Sequence, residues 1–303
     1  MWNKDCRVFC FGEVLWDEVN QEDLPGGAPL NVSYHLAKDE RMDVYTISSL
    51  GLDEEGDRMW DLLRGWSIKT RFVQRNENYS TGRVRADTSN KENVVYDILE
   101  PVAWDYIEKD DELTDILGVD DCLVFGSLSC RNKVTRNTLF ELLKTNCFKV
   151  FDINLRGNFY NEEHLRMLLQ YTDLLKINEE ELIEVIRIFR TELLHTNEEE
   201  KMRFLMSHFE IPQVIITRGA EGASFYTVTD RIDIVGVSVD VVDTIGCGDA
   251  FLAGFLRQHL KKEPLKVALY RASMMGAFIA CKKGGCPPYE LKEYDLFLET
   301  YRR

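Results

Sequence analysis

The sequence predicts an α/β fold, a three-layer Rossmann-like arrangement in which a mostly parallel sheet carries helices on both faces. Short runs rich in Val, Ile and Phe alternate with segments of helical period, one middle stretch changes to a period of two, and helical patterns close the chain. Such alternation is typical of parallel strands joined by helical crossovers. Because no stretch of the 303 residues resembles a linker, we expect one domain over 1–303.

The individual elements follow from these patterns. The core strands are predicted at 7–12, 44–49, 122–126, 150–153, 174–177 and 214–217. The helices between them are predicted at 30–38, 53–65, 133–144, 162–170, 179–189 and 198–209. A hairpin of 223–228 and 231–237 follows, and the last helices are predicted at 248–259, 265–282 and 289–301.

The stretch from about 70 to 100 departs from this alternation. Residues 83–87 and 94–99 alternate between polar and apolar and flank a turn-rich segment at 89–93, which indicates a hairpin with one polar face. We predict a small β-sheet lid, inserted at about 13–26 and 70–101, over the carboxyl ends of the core strands, where α/β folds bind ligands. A surface hairpin without a role is the alternative.

Charge and composition narrow the function classes. The formal net charge of −15 repels phosphate backbones, so we expect no nucleic-acid partner, and an anionic nucleotide would need local backbone donors and a cation. The eight cysteines form no C-x-x-C pair and the five histidines no H-x-x-x-H pair, so no zinc site is predicted. No P-loop motif occurs. No signal segment or membrane-length apolar window is found, and we expect a reduced, cytoplasmic protein without a membrane partner.

The clearest chemical signal is D-T-I-G-C-G-D at 243–249, which follows an apolar, strand-like run at 235–242 and opens a long apolar helix. Gly246 and Gly248 allow backbone N–H groups to approach a ligand, and the helix N-terminus adds positive potential, so the turn suits an anion. Asp249 is placed to accept a proton from a hydroxyl beside that anion. A carboxylate that only stabilises the helix N-terminus is the alternative.

This motif resembles the D-T-x-G-A-G-D signature of the ribokinase/PfkB carbohydrate kinase family, with Cys247 where Ala is usual. The resemblance implies a ribokinase-like fold, ATP as co-substrate, Mg²⁺, Asp249 as catalytic base, and an anion hole formed by Gly246, Cys247 and Gly248. It extends along nearly the whole chain in the family's order. A catalytically dead regulator that binds sugar or nucleotide is the non-enzyme alternative, but such members usually lose the base or the glycines, and both are present.

Other motifs resemble the family's binding sites. G-E-V-L-W-D at 12–17 and G-G-A-P-L-N-V at 26–32 imply sugar contacts from Asp17, Gly27 and Asn31. N-E-E-E at 178–181 resembles the N-x-x-E motif, which implies Glu181 as a residue that orders the magnesium waters, whereas Glu181 taken alone is a solvated carboxylate in a helix's first turn. The implied nucleotide contacts are Asn178, Thr217, Gly219, Gly222, Gly246, Gly248, Ser273 and Gly276, and the implied monovalent-cation (K⁺) site lies near Asp243, Ile245 and Gly284.

The choice of sugar rests on two loops. Where the related phosphosugar kinases tend to carry a Lys, the loop at 26–31 has Ala, Pro and Leu, which favours a free, neutral sugar. D-I-N-L-R at 152–156 resembles the D-x-N-L-R segment of fructokinases, implying fructose as substrate and Asn154 and Arg156 as contacts. The alternatives are ribokinase and 2-keto-3-deoxygluconate kinase, in which Arg156 or Arg83 would hold the acid's carboxylate. The ribokinase-type dimers also suggest a homodimer through the lid.

Overall fold

The computed structural model describes residues 7–19, 22–87 and 95–301. Its strands are β1 (Arg7–Phe11), β2 (Leu15–Val19), β3 (Glu22–Gly26), β4 (Asp43–Gly51), β5 (Val73–Asn76), β6 (Gly82–Asp87), β7 (Val95–Ile98), β8 (Cys122–Gly126), β9 (Phe148–Asp152), β10 (Leu174–Asn178), β11 (Gln213–Thr217), β12 (Gly222–Thr227) and β13 (Arg231–Val235). Its α-helices are α1 (Ala28–Ala37), α2 (Glu54–Gly65), α3 (Asp111–Ile116), α4 (Lys133–Leu143), α5 (Glu162–Gln170), α6 (Glu179–Phe189), α7 (Glu198–Phe209), α8 (Cys247–His259), α9 (Leu265–Ala280) and α10 (Leu291–Thr300).

The central sheet has the strand order β13-β12-β11-β10-β9-β8-β1-β4-β5. Its neighbours pair in parallel from β5 to β11, and only β12 and β13 pair antiparallel at one edge. The predicted α/β fold is therefore confirmed. Residues on alternating positions of the strands face opposite sides: Phe9 and Phe11 pack with α4 to α7, whereas Val8 and Cys10 pack with α1, α8 and α9.

Capping side chains account for several helix starts. Asp53, Asn132, Asn161 and Asn197 each accept a hydrogen bond from a backbone N–H in the first turn of α2, α4, α5 and α7. These helices begin within one residue of their predicted starts, because the cap and the apolar periodicity point to the same boundary. No helix in the described part of the chain is long and apolar enough to cross a membrane.

A second, four-stranded sheet has the order β3-β2-β6-β7 and corresponds to the predicted lid sheet. Of the described residues in the predicted insert at 70–101, only β6 and β7 belong to this sheet, because β5 extends the central sheet by pairing in parallel with β4. The predicted turn at 89–93 lies outside the described residues. Trp16 of β2 is buried, and its indole N–H donates to the carbonyl of Glu55 at 3.1 Å, which anchors the base of the lid sheet to α2.

The strand-like run predicted at 235–242 is wrong beyond Val235, where β13 ends. Val241 and Val242 are 60% and 66% exposed, and the backbone N–H of Val242 donates to the carbonyl of Ala280 at the end of α9. Because β13 occupies the edge of the sheet, the segment meets no strand with which to pair. The segment 236–246 instead runs along the surface, without strand structure, to the start of α8.

Candidate functional site

The turn before α8 has the backbone that an anion-binding turn requires. Gly246, the N-cap residue, has φ 73°, in the left-handed region that favours glycine. A Cβ built on Gly246 would lie 2.5 Å from the Cα of Gly285, so the turn packs directly against the 284–286 loop. Asp249 follows in the first turn of α8, where the helix dipole favours a negative charge.

Asp249 is hydrogen-bonded to a residue from the other end of the chain. The side-chain amide of Asn31, in α1, donates to Oδ2 of Asp249 at 2.7 Å, and the thiol of Cys286 donates to Oδ1 of Asn31 at 3.2 Å. The N-cap residue of α1 is Gly27, which has φ 110° and lies so close to the carbonyl of Glu13 that a Cβ would overlap that oxygen. The structure thus joins the predicted base to a predicted sugar contact.

Three carboxyl groups face this place: that of Glu13 is buried, and those of Asp17 and Asp249 are half-buried. Burial raises the pKa of Glu13 to about 7, and that of Asp17 and Asp249 to about 6 each. The positive charge of Arg156 opposes the effect by lowering the pKa of all three carboxyls. Within the described residues Arg156 forms no ion pair and is exposed, so its charge is available to a ligand.

Arg83 does not share that freedom. Its guanidinium on β6 pairs with Glu18 of β2, Asp23 of β3 and Glu55 of α2, which hold it between the lid sheet and that helix. Binding a substrate carboxylate would require Arg83 to leave these partners, of which Asp23 and Glu18 also pair with Arg58 and Arg85. Of the two arginines predicted as clamps for an acid substrate, Arg156 is the one without an ion pair among the described residues.

A buried ion pair beneath the turn was missed from the sequence. The ammonium of Lys176, in β10, lies 2.8 and 3.0 Å from the two carboxylate oxygens of Asp152, at the end of β9. Both residues are buried, at 7% and 3% exposure. The signal was a lysine inside the otherwise apolar run L-L-K-I, since lysine is rarely buried without a partner.

The residues predicted near phosphate and magnesium lie beside this pair. Asn178 caps α6 by accepting from the backbone N–H of Glu181 at 2.8 Å, and the Glu181 carboxylate accepts from the N–H of Asn178 at 2.9 Å. Its other oxygen accepts from the N–H of Leu155 at 3.2 Å, in the loop that carries Asn154 and Arg156. Burial raises the pKa of Glu181, which is half-buried and accepts hydrogen bonds from two backbone N–H groups.

The other predicted nucleotide contacts occupy the neighbouring strands and α9. Thr217 lies opposite Asn178 in the pairing of β10 with β11. Gly219 and Gly222 have φ of 52° and 111° and form the turn between β11 and β12. On α9, a Cβ at Gly276 would lie 3.2 Å from the carbonyl of Cys247, so this face of α9 packs on the turn, and Ser273 lies partly buried on the same helix.

At the predicted monovalent-cation site, Asp243 ties two loops together. Its carboxylate accepts from the N–H of Ile245 at 3.0 Å and from that of Gly284 at 2.9 Å. Gly284 has φ 76°, which fits a tight turn. The loops that would supply carbonyl ligands therefore lie side by side.

Comparison with known proteins assigns the family. Residues 4–292 match the family described as pfkB family carbohydrate kinase. The chain belongs to this family. Curated relatives include the fructokinase of Escherichia coli, 27% identical over 82% of this chain and 83% of the relative. Another, of Arabidopsis thaliana, is named "Probable fructokinase-6, chloroplastic" and is 26% identical over 94% of this chain and 80% of the relative. As a pfkB carbohydrate kinase, the protein is a sugar kinase.

Solved structures share the fold of this pfkB kinase. Fructokinase from Vibrio cholerae O395, solved with fructose, ADP and calcium ion, superposes with a TM-score of 0.82 at 24% identity, covering 98% of this chain and 100% of that one. Aminoimidazole riboside kinase from Salmonella enterica, solved with aminoimidazole riboside and an ATP analogue, superposes with a TM-score of 0.81 at 22% identity, covering 96% and 99%. One fold thus carries kinases named for different sugars, and the choice of sugar must be argued from the site.

Proposed function

We propose that the protein transfers the γ-phosphoryl group of ATP to the primary hydroxyl of fructose, giving fructose 6-phosphate, with Asp249 as the general base. The observation that carries this proposal is the 2.7 Å hydrogen bond from Asn31 to Asp249 at the N-terminus of α8. It joins the base motif to the sugar motif, and a sugar bound by Asp17, Gly27 and Asn31 would present a hydroxyl to Asp249. The fructokinases among the relatives support fructose.

The geometry supplies each part of the transfer. Asn31 occupies Oδ2 of Asp249, and Oδ1 is left to receive the hydroxyl proton. A pKa of about 6 leaves the carboxylate ionised at neutral pH but more basic than an ordinary Asp. As the sugar oxygen bonds to the γ-phosphorus, the bond from that phosphorus to ADP breaks. Backbone N–H groups of Gly246 and Gly248 would stabilise the phosphoryl oxygens, whereas that of Cys247 donates to the carbonyl of Thr244 at 3.3 Å.

The residues present fit a magnesium ion bound through phosphates and water. Among the described residues no group of three or more His, Cys, Asp or Glu side chains could hold a metal ion. Magnesium in such kinases keeps several waters and is held by one or two carboxylates and the substrate phosphates. Glu181 is the residue we expect to order those waters, because its carboxylate oxygens retain lone pairs beside the backbone bonds that they accept. When bound, Mg²⁺ neutralises charge on the phosphates.

A keto acid such as 2-keto-3-deoxygluconate is the second candidate, and Arg156 is the observation that favours it. The exposed Arg156 guanidinium forms no ion pair in the part of the chain that the structure describes, and its charge acts on Glu13, Asp17 and Asp249. It could bind a substrate carboxylate as a bidentate partner. With fructose the same group would donate hydrogen bonds to neutral hydroxyls. The sugar loop at 26–31 contains no Lys, which favours a neutral sugar, and we therefore place fructose first.

A substrate panel tests the proposal. Coupled release of ADP is measured with fructose, ribose, adenosine and 2-keto-3-deoxygluconate, and we expect the largest kcat/KM for fructose. Arg156→Gln is the matched variant: it should reduce kcat/KM for the keto acid far more than for fructose. If the keto acid gives the larger kcat/KM in the native protein, the second candidate is right.

Two further parts of the proposal have their own tests. K⁺ in place of Na⁺ should raise turnover if the Asp243 and Gly284 loops bind a monovalent cation, and no difference between the salts argues against that site. A homodimer through the lid sheet should appear in sedimentation velocity as a species of twice the 35.2 kDa chain mass. A monomer at assay concentrations would contradict it.

A further inference from the structure

Lys176 and Asp152 form a buried ion pair beside the anion-binding turn. Lys176 lies in β10 between Leu175 and Ile177, both fully buried, and its ammonium is bonded to both oxygens of Asp152. Burying such a pair costs more in desolvation than its attraction usually returns, and apolar residues of the same volume often stabilise a fold better. The pair therefore calls for an explanation other than stability.

Its position relative to the anion-binding turn offers one. A Cβ built on Gly248 would lie 3.1 Å from the Lys176 Nζ, so the ammonium faces the side of Gly248 on which a side chain would stand. An ammonium has three donors, and the described residues supply acceptors to Lys176 only through the Asp152 carboxylate. A donor remains for a ligand at the turn, and glycine at 248 leaves space for the ammonium that any side chain would take.

We propose that Lys176 is a further catalytic residue, which donates a hydrogen bond to the transferring phosphoryl group, and that Asp152 positions it. This inference rests on the proposed role of the Gly246 to Asp249 turn. During transfer the hydroxyl proton goes to Asp249 and negative charge passes to the leaving ADP oxygen, while Lys176 stays protonated throughout. A fixed cation in a water-poor site stabilises such charge without having to reorganise.

The same pair also acts on the base. Asp152 raises the pKa of Asp249 and Lys176 lowers it, with burial the largest cause of the upward shift. The other charged and titratable groups that face Asp249 are Glu13, Asp17, Arg156, Cys247 and Cys286. Those that face Lys176 are Asp152, Glu181 and Asp249. Removing the lysine alone should therefore raise the pKa of Asp249 further. Removing both members of the pair should leave that pKa nearly unchanged, because their opposite effects nearly cancel.

Three variants separate these effects from damage to the fold. Lys176→Met keeps the length of the side chain but leaves Asp152 as a buried, unpaired charge, so its melting temperature should fall. Adding Asp152→Asn removes that charge and should recover the melting temperature. As a control, Arg7→Met with Asp121→Asn removes a less buried ion pair at the amino end of β1, whereas the turn lies at the carboxyl ends of the strands.

The measurements are kcat, the pH profile of kcat/KM with the best sugar of the panel, and the dissociation constant of that sugar by calorimetry. For Lys176→Met we expect kcat to fall by roughly 10²–10³, as when one donor to a developing charge is removed. The acid limb of kcat/KM should also move to higher pH. In the double variant the acid limb should return towards its native position while kcat stays low, and the control pair should keep native kcat.

The double variant decides the question. A double variant that regains the melting temperature and native kcat would show that the pair is structural and overturn the proposal. A persistent loss of kcat with native sugar affinity supports it, because a structural role would not separate the two. Failure of the underlying function looks different: Asp249→Asn would then keep native turnover, or no sugar would be phosphorylated by the native protein.

Discussion

Replacement of Gly246 by alanine tests the turn that the proposed mechanism depends on. A non-glycine residue at φ 73° is strained by about 1–2 kcal/mol. The new methyl would also lie 2.5 Å from the Cα of Gly285, which is backbone and can yield only if the loop moves. Such overpacking typically costs about 1–3 kcal/mol, so the free energy of unfolding should fall by about 2–5 kcal/mol in total.

Gly219→Ala is the matched control for strain. Gly219 has φ 52°, but a Cβ there would meet nothing within 4 Å, so only the backbone strain of about 1–2 kcal/mol applies. Urea unfolding of both variants measures the difference between them. If Gly246→Ala loses no more stability than Gly219→Ala, the close contact between the turn and the 284–286 loop is not present in solution.

Turnover of Gly246→Ala tests the functional half of the argument. Moving the turn away from Gly285 also moves it relative to Asn31, which the neighbouring Cys286 contacts at 3.2 Å. A displacement of about 1 Å in a catalytic constellation can cost roughly 10²-fold, so we expect kcat to fall by about that factor. Measured by coupled ADP release, native kcat in a variant with the expected stability loss would refute the anion hole.

Three further predictions concern the base, a buried histidine and the lid. Asp249→Asn should keep the fold and lower kcat by at least ~100-fold. In the native protein kcat/KM should fall as the pH drops below about 6, because the base must be ionised. An acid limb near pH 4 would contradict the raised pKa of Asp249. Burial lowers the pKa of His35 to about 3, so the unfolded chain binds its proton first as the pH falls from 6.5 towards 3. The free energy of unfolding should then decline by up to about 1.4 kcal/mol per pH unit from this group, and His35→Gln should flatten that slope in acid titrations followed by urea unfolding. Amide exchange in β6 and β7 should slow when sugar binds, while β11 changes little; exchange in the lid that ignores saturating sugar would leave it as a surface or dimerisation element.

The sequence was informative wherever one local signal was enough. Periodicity and cap residues located the core strands and the main helices, and the glycine-rich motif located the turn and Asp249. Strand β5 and helix α3 were not predicted, because they have only 4 and 6 residues, too few to show a hydrophobic period. The run at 235–242 misled because apolar β-formers look alike whether or not a partner strand is present, and pairing is a property of the whole sheet.

Lys176 shows the limit of motif-based prediction in the site itself. Each half of its ion pair is visible in the sequence, but residues 152 and 176 come together only because β9 and β10 are adjacent and parallel. The register that pairs Asp152 with Lys176 is set by the hydrophobic faces of both strands, not by the two charges. Likewise the contact of Asn31 with Asp249 spans 218 residues and depends on α1 packing against α8.

The charge distribution of the molecule explains why an anionic nucleotide needs hydrogen-bond donors and a cation fixed at the turn. A protein with a net charge of −15 repels ATP at long range, and the pocket itself adds the carboxylates of Glu13, Asp17 and Asp249. Burial reduces this negative charge in part, because it raises the pKa of each carboxyl and so increases the fraction that is protonated and neutral. The rest must come from donors fixed at the turn: the N-terminus of α8 and, below it, the ammonium of Lys176. Since both act only over a few ångströms, raising the salt concentration should weaken them less than the long-range repulsion, and the KM for ATP should fall or stay level rather than rise. A KM for ATP that rises steeply between 50 and 500 mM salt would mean that exposed cations, and not this buried pair, attract the nucleotide.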